Sequence, residues 1–136
     1  MQAKMIAGHE LTPGKTVKDH IHVEGTELHV PHVLLCGEQP GPTVLITAGI
    51  HNAEYVGIQA AIELSNELDV STLCGNVILV PLVNRSGFEN RTMSRVFEDG
   101  KNLNRVFPGD REGSEAERLA HMLFEVFIRN ADAYIE

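Results

Sequence analysis

The residues best suited to chemistry in this sequence are His51 and Glu54, within Gly49-Ile50-His51-Asn52-Ala53-Glu54. Imidazole nitrogen and carboxylate oxygen are donors that zinc takes in catalytic sites, which use three protein ligands and keep one position for water. Three residues apart, the two side chains share a face where the backbone turns into a helix. An ordinary reading stands beside this one: a carboxylate favoured by a helix dipole, next to a polar residue that ends a strand. With 7 histidines in an acidic chain, roughly one His-x-x-Glu arises by chance, so the spacing needs corroboration.

A second group of candidates lies downstream. The chain carries a net charge of −8, which argues against nucleic-acid or anionic-membrane partners. Yet Arg85, Arg91, Arg95, Arg105 and Arg111 crowd into one segment, with Lys101 among them. Either this is a solvated loop or it is a local site for a small anion. Asn104-Arg105 sets an amide donor beside a guanidinium fork, suited to a substrate carboxylate. Arg95 is placed to polarise a carbonyl and stabilise the oxyanion formed as water attacks, with Arg91 the weaker candidate.

The remaining titratable residues carry less. His20 and His22 alternate on one strand face with His29 and His32 nearby; they read as solvated surface histidines on an exposed edge. His9 sits near the terminus, and His121 beside the apolar stripe of a helix. Cys36 and Cys74, without Cys-x-x-Cys spacing, read as buried, reduced and structural, as in a cytoplasmic protein. Met1–Ile6 shows no signal-peptide pattern, and no apolar run approaches the ~20 residues of a membrane-spanning helix.

The elements that must position these residues follow from the hydrophobic pattern. Residues 1–40 read as a β-rich lead-in, with strands over Val17–Val23 and Leu28–Leu35 and a turn at Glu24-Gly25-Thr26. Pro31 implies an edge or a bulge, and Gln39-Pro40-Gly41-Pro42 a break. Residues 43–136 read as an α/β core. The continuous apolar runs Thr43–Ala48 and Val77–Val83 are strands covered on both faces, and the helix Tyr55–Leu68 between them makes the pair parallel. That helix buries Val56, Ala60, Ile62 and Leu64 on this reading. Residues 84–113 show neither period, as expected of a long functional loop. Ser114-Glu115-Ala116-Glu117 is a capping box that opens a helix over 115 to about 129, burying Leu119, Met122, Leu123, Val126 and Phe127. Ala131–Glu136 begins a third core strand.

Gly-x-His-x-x-Glu, followed about fifty residues later by Asp-Gly-Lys-Asn-Leu-Asn-Arg-Val-Phe-Pro-Gly, resembles the zinc carboxypeptidase superfamily. Within it, the succinylglutamate desuccinylase/aspartoacylase branch is the most similar. The resemblance implies His51 and Glu54 as zinc ligands, Asn104 and Arg105 as binders of the substrate carboxylate, and Arg95 as the carbonyl-polarising arginine. It implies a mixed, largely parallel sheet flanked by helices, and zinc-dependent hydrolysis of the amide bond of an N-acyl amino acid. In the family a histidine just beyond the strand begun at Ala133-Tyr134-Ile135 is the third ligand, and a glutamate further on is the base. Neither is in this chain, which is therefore expected to be the N-terminal portion of one catalytic domain and inactive alone. The alternatives are a metallocarboxypeptidase that grips peptide C-termini and a non-catalytic small-anion-binding or scaffold module. The expected partner is a small carboxylate-bearing substrate, with a homo-oligomer possible through an exposed sheet edge.

Overall fold

A computed structural model describes residues 4–136, so Met1, Gln2 and Ala3 of the N-terminal stretch read above lie outside the described residues. Strands β1 (Met5–Ile6) and β2 (His9–Glu10) form a small antiparallel ribbon. The main sheet contains β3 (Thr16–His22), β4 (His29–Cys36), β5 (Gln39–Thr47), β6 (Cys74–Val80) and β7 (Ala133–Ile135). Its spatial order is β3-β4-β6-β5-β7. β4 pairs antiparallel with β3 and β6, whereas β5 runs parallel to both β6 and β7. The sheet is thus mixed, with its parallel half made by the three strands of the α/β core.

Helices cover both faces, which explains the unbroken apolar runs. Alternate residues of β4, β5 and β6 (Val30, Leu34, Leu45, Ile78 and Val80) pack with Leu119, Leu123 and Phe127. Val33, Leu35, Val77 and Leu79 pack on the other face with Ile58 and Ala61. The first cover is α3 (Glu115–Met122), whose path continues through a π-helical turn at Leu123–Phe127 and a 3-10 turn at Ile128–Asn130. The second is α1 (Tyr55–Glu67). Among the described residues no helix is long and apolar enough to cross a membrane.

Several local expectations are corrected. In α1 the buried residues are Ile58 and Ala61, while Val56 is 86% exposed and Ile62 41% exposed. The helix docks through Ile58 and Ala61 with Leu64 partly buried, while Val56, Ala60 and Ile62 turn outward. β4 is an interior strand, yet its pairing with β6 spans only Val33–Cys36, so Pro31 lies where one side of the strand needs no donor. Gln39-Pro40-Gly41-Pro42 is not a break but the start of β5, absorbed as a register shift between Gln39 and Thr43. Within residues 84–113 the chain forms α2 (Arg85–Asn90) and a 3-10 turn at Leu103–Arg105. Cys36 is buried but Cys74 is exposed; both thiols are unpaired.

The capping box at Ser114 is also replaced. Ser114 makes no side-chain bond to the helix backbone; its hydroxyl donates to Glu117 Oε1 at 3.0 Å. The donor freed at Ala116 N goes instead to Asp99 Oδ2, 2.7 Å away and 17 residues back. Partial burial opposes ionisation of Asp99, but the Lys101 and Ala116 backbone N–H groups outweigh it and hold the carboxyl below its usual range.

His32 is the other departure. It is 2% exposed, on the core face of β4, with its ring 5.5 Å from that of Phe127. Neither ring nitrogen has a hydrogen-bond partner among the described residues. Burial pushes its pKa below the ordinary imidazole value, with the nearby Val30 backbone and Asp19 across the strand pair pulling the other way and His9 and His20 adding to the depression. Folded His32 therefore binds fewer protons than unfolded His32 from about pH 6.5 downward. Stability from this group is complete above that pH and is lost as pH falls through the window. Asp19, held below its usual range by the His20 backbone and by His9, acts only below about pH 4. His32→Leu is expected to lose less stability than the parent between pH 7 and pH 5, measured as the shift in urea midpoint.

Candidate functional site

The candidate residues gather at the carboxyl edge of the parallel strands, where open α/β sheets bind ligands. β5 ends at Thr47, and Ala48 N and Val83 N exchange bonds with Val80 O and Ala48 O, both at 2.9 Å, so the chains leaving β5 and β6 stay side by side. Gly49 then turns with φ +74°; a Cβ there would stand 2.8 Å from Leu82 Cδ1. Only glycine accepts both conditions, and the turn delivers His51 to the rim.

Glu54 precedes α1 in the N-cap position, but its carboxylate makes no capping bond. It faces His51 instead, with Nδ1 and Oε1 3.3 Å apart. The other ring nitrogen of His51, Nε2, is 3.0 Å from Asn102 Oδ1. That oxygen also accepts from Asn104 N at 3.1 Å. An amide oxygen cannot donate, so Nε2 carries the proton of the neutral ring and Nδ1 keeps a lone pair aimed at the carboxylate. Two acceptors at this distance repel unless a proton or a cation lies between them. The donor set and its orientation fit a metal ion, with Asn102 as the outer partner that fixes the tautomer. Among the described residues no third His, Cys, Asp or Glu joins them in a set that could hold one.

Arg95 and Arg105 line one hollow of about 380 Å³ together with Lys101 and Asn102. Arg95 Nη1 donates to Gly100 O at 3.0 Å, which steadies the guanidinium. Asn104 shares the 3-10 turn with Arg105 but lines a neighbouring hollow with Phe107, Phe124 and Tyr134. The structure thus brings Arg95 to Arg105 and joins both to His51 through Asn102, while Asn104 looks to the other side. Arg91 ends α2 in the left-handed region at φ +56°, exposed and outside this hollow.

Two buried asparagines that the sequence reading passed over hold the loops in place. Asn84 Nδ2 donates to Asn52 Oδ1 at 3.1 Å and to Arg95 O at 3.0 Å, while Asn84 Oδ1 accepts from Gly87 N at 3.1 Å. Ala53 N donates to Met93 O at 2.8 Å. Thr92 Oγ1 donates to Arg95 O and lies 3.4 Å from Asn52 Oδ1. A Cβ on Gly87 would stand 2.6 Å from Asn84 Nδ2, so the close fit also needs glycine there. A polar Asn84 directly after a buried strand was the signal available in the sequence.

The sequence and the fold are both similar to those of known proteins. The family described as succinylglutamate desuccinylase/aspartoacylase catalytic domain matches residues 40–135. An N-alpha-acetyl-L-2,4-diaminobutyric acid deacetylase from Halomonas elongata is 40% identical over 97 residues, 71% of this chain and 28% of that protein. Among solved structures, an aspartoacylase family protein from Mesorhizobium loti superposes with TM-score 0.84 at 34% identity, over 98% of this chain and 43% of that one. A succinylglutamate desuccinylase/aspartoacylase from Rhodobacter sphaeroides gives TM-score 0.82 at 28% identity, over 93% of this chain and 41% of that one. Thrombin activatable fibrinolysis inhibitor, at 15% identity and TM-score 0.64, shares the fold alone. The chain spans less than half the length of each of these proteins.

Truncating Asn84 strips Asn52 Oδ1 and Arg95 O of a buried donor. Asn84→Ala is expected to cost about 1–3 kcal/mol by urea unfolding, since the buried Gly87 N loses its acceptor while Asn52 Oδ1 and Arg95 O keep Thr92 Oγ1 beside them. Arg91→Ala, on an exposed turn, is expected to change stability by less than about 0.5 kcal/mol.

Proposed function

The chain belongs to the succinylglutamate desuccinylase/aspartoacylase family, and we propose that it carries the first part of a zinc site that hydrolyses the amide bond of an N-acyl amino acid. The observation that supports this most is the His51 Nδ1–Glu54 Oε1 approach at 3.3 Å, with His51 Nε2 committed to Asn102. A zinc ion held by His51 and Glu54 would supply Lewis acidity toward a carbonyl oxygen and toward water. Arg95 then stabilises charge developing on the carbonyl oxygen, and its bond to the Gly100 carbonyl limits its reorientation. Arg105, in the same hollow, grips the substrate's carboxylate through its planar fork. Asn104, which the resemblance also assigns to that carboxylate, lines the neighbouring hollow.

Two protein ligands make an incomplete centre, because exchange is fast where a third donor is lacking. The family resemblance implies a third ligand and a general base in addition to these two residues. The relative that acts on N-alpha-acetyl-L-2,4-diaminobutyric acid favours a short N-acyl amino acid over a peptide C-terminus. The setting is cytoplasmic on this reading, where the unpaired thiols of Cys36 and Cys74 stay reduced.

Zinc titration separates the parts of this reading. Asn102→Leu is expected to weaken zinc binding by about 10–100-fold, because His51 loses the partner that fixes its tautomer, whereas Asn102→Asp keeps it. Equal affinities for the two variants would remove Asn102 from the site. The 136-residue chain is expected to show no enzymatic turnover of N-acetyl amino acids in an amine-release assay. Turnover at ordinary rates, roughly 1 per second or faster, would mean that the chain holds a complete site.

A further inference from the structure

The β3–β4 hairpin holds donors that the rim site does not use. Its register sets His22 directly opposite His29. The two rings lie 4.9 Å apart between centroids, with their planes tilted by 39°. Both residues are exposed, and neither takes part in an ion pair among the described residues. His22 Nε2 is hydrogen-bonded to the Thr26 carbonyl oxygen. A carbonyl only accepts, so this nitrogen holds the proton and Nδ1 keeps its lone pair. Metal-ligating histidines show the same habit of tying the outer nitrogen to a backbone carbonyl.

The ring separation has a direct geometric meaning. With each nitrogen about 2.0–2.1 Å from a shared zinc ion, two imidazoles at near-tetrahedral angles have centroids about 5 Å apart. The sheet register thus holds the two rings at the separation that a shared ion needs, which reduces the side-chain freedom to be lost on chelation. His20, two residues before His22 on the same strand face, lines a cavity of about 530 Å³ with Glu27 and His29.

We propose that His22 and His29 form a second divalent-cation site, separate from His51 and Glu54, for late first-row transition ions such as zinc or nickel. Imidazole donors select these over magnesium and calcium, which take oxygen ligands. Water fills the remaining positions. No set of three donors is preassembled among the described residues, so this is a weak, exchangeable site. A bound ion clips β3 to β4 at the last register pair before the Val23–Leu28 connection and stabilises the folded hairpin by mass action.

The test compares two variants, His51→Ala and His51→Ala with His29→Ala, each titrated with zinc by calorimetry at pH 7.5 and followed by thermal unfolding. The single variant is expected to keep one binding event and a zinc-dependent rise in Tm; the double variant is expected to bind more than about tenfold more weakly. No binding by the single variant, or equal binding by both, overturns the site, as does an equal rise in Tm with magnesium. A readout on the unsubstituted chain guards against a folding defect: the ring Cε1–H signals of His22 and His29 should shift together as zinc is added, and their staying fixed also overturns the site. Zinc lost on His51→Ala alone reports on the rim site, so the two proposals fail separately.

Discussion

The buried Asn84 side chain is the constraint on which the rim of this molecule depends. At 1% exposure it cannot trade its partners for water, so its amide must be satisfied by protein groups. Those groups are Asn52, in the ligand loop, and the carbonyl of Arg95, in the arginine loop. One side chain at the end of β6 therefore fixes two loops that are far apart in sequence. Because Asn52 sits between His51 and Glu54, holding Asn52 also holds the candidate ligands. The strand edges beneath are fixed by the backbone bonds among Ala48, Val80 and Val83.

A second layer of coupling joins the ligand loop to the Asp-Gly-Lys-Asn-Leu-Asn-Arg segment. Asn102 accepts from His51 and from the backbone of Asn104, while Asp99 accepts from the backbone of Lys101 and from the first turn of α3. Each short polar side chain serves its own turn and one distant group together. The segment is therefore ordered without belonging to a long element, and the chemistry it carries sits on irregular backbone held from both ends.

Much of this was legible in the residues themselves. Continuous apolar runs mark strands covered on both faces, and the π-containing helical path after Glu115 follows the stripe of Leu119, Met122, Leu123 and Phe127. The family of the chain could be read from two motifs, because catalytic residue types at fixed spacing are local information. Less legible were the outward turn of Val56 and Ile62 and the interior place of β4 despite Pro31. Helical spacing identifies that one face is buried but not which face, when apolar residues such as Ile58 and Ile62 stand on both sides. Whether a proline breaks a strand depends on whether a neighbour pairs at that residue, a fact about another segment.

By itself the sequence determined the α/β class, the order of the core elements, and His51, Glu54, Arg95, Asn104 and Arg105 as the residues to examine. Only the tertiary structure decided how they meet. It joined Arg95 with Arg105 and turned Asn104 toward another hollow. It put Asn102 on His51, replaced Ser114 by Asp99 as the cap of α3, and buried His32 while leaving His22 and His29 face to face. The physical reason is the same throughout. Residue type and period are carried by neighbours in the chain, whereas hydrogen-bond partners and burial are settled by groups that the fold brings from elsewhere.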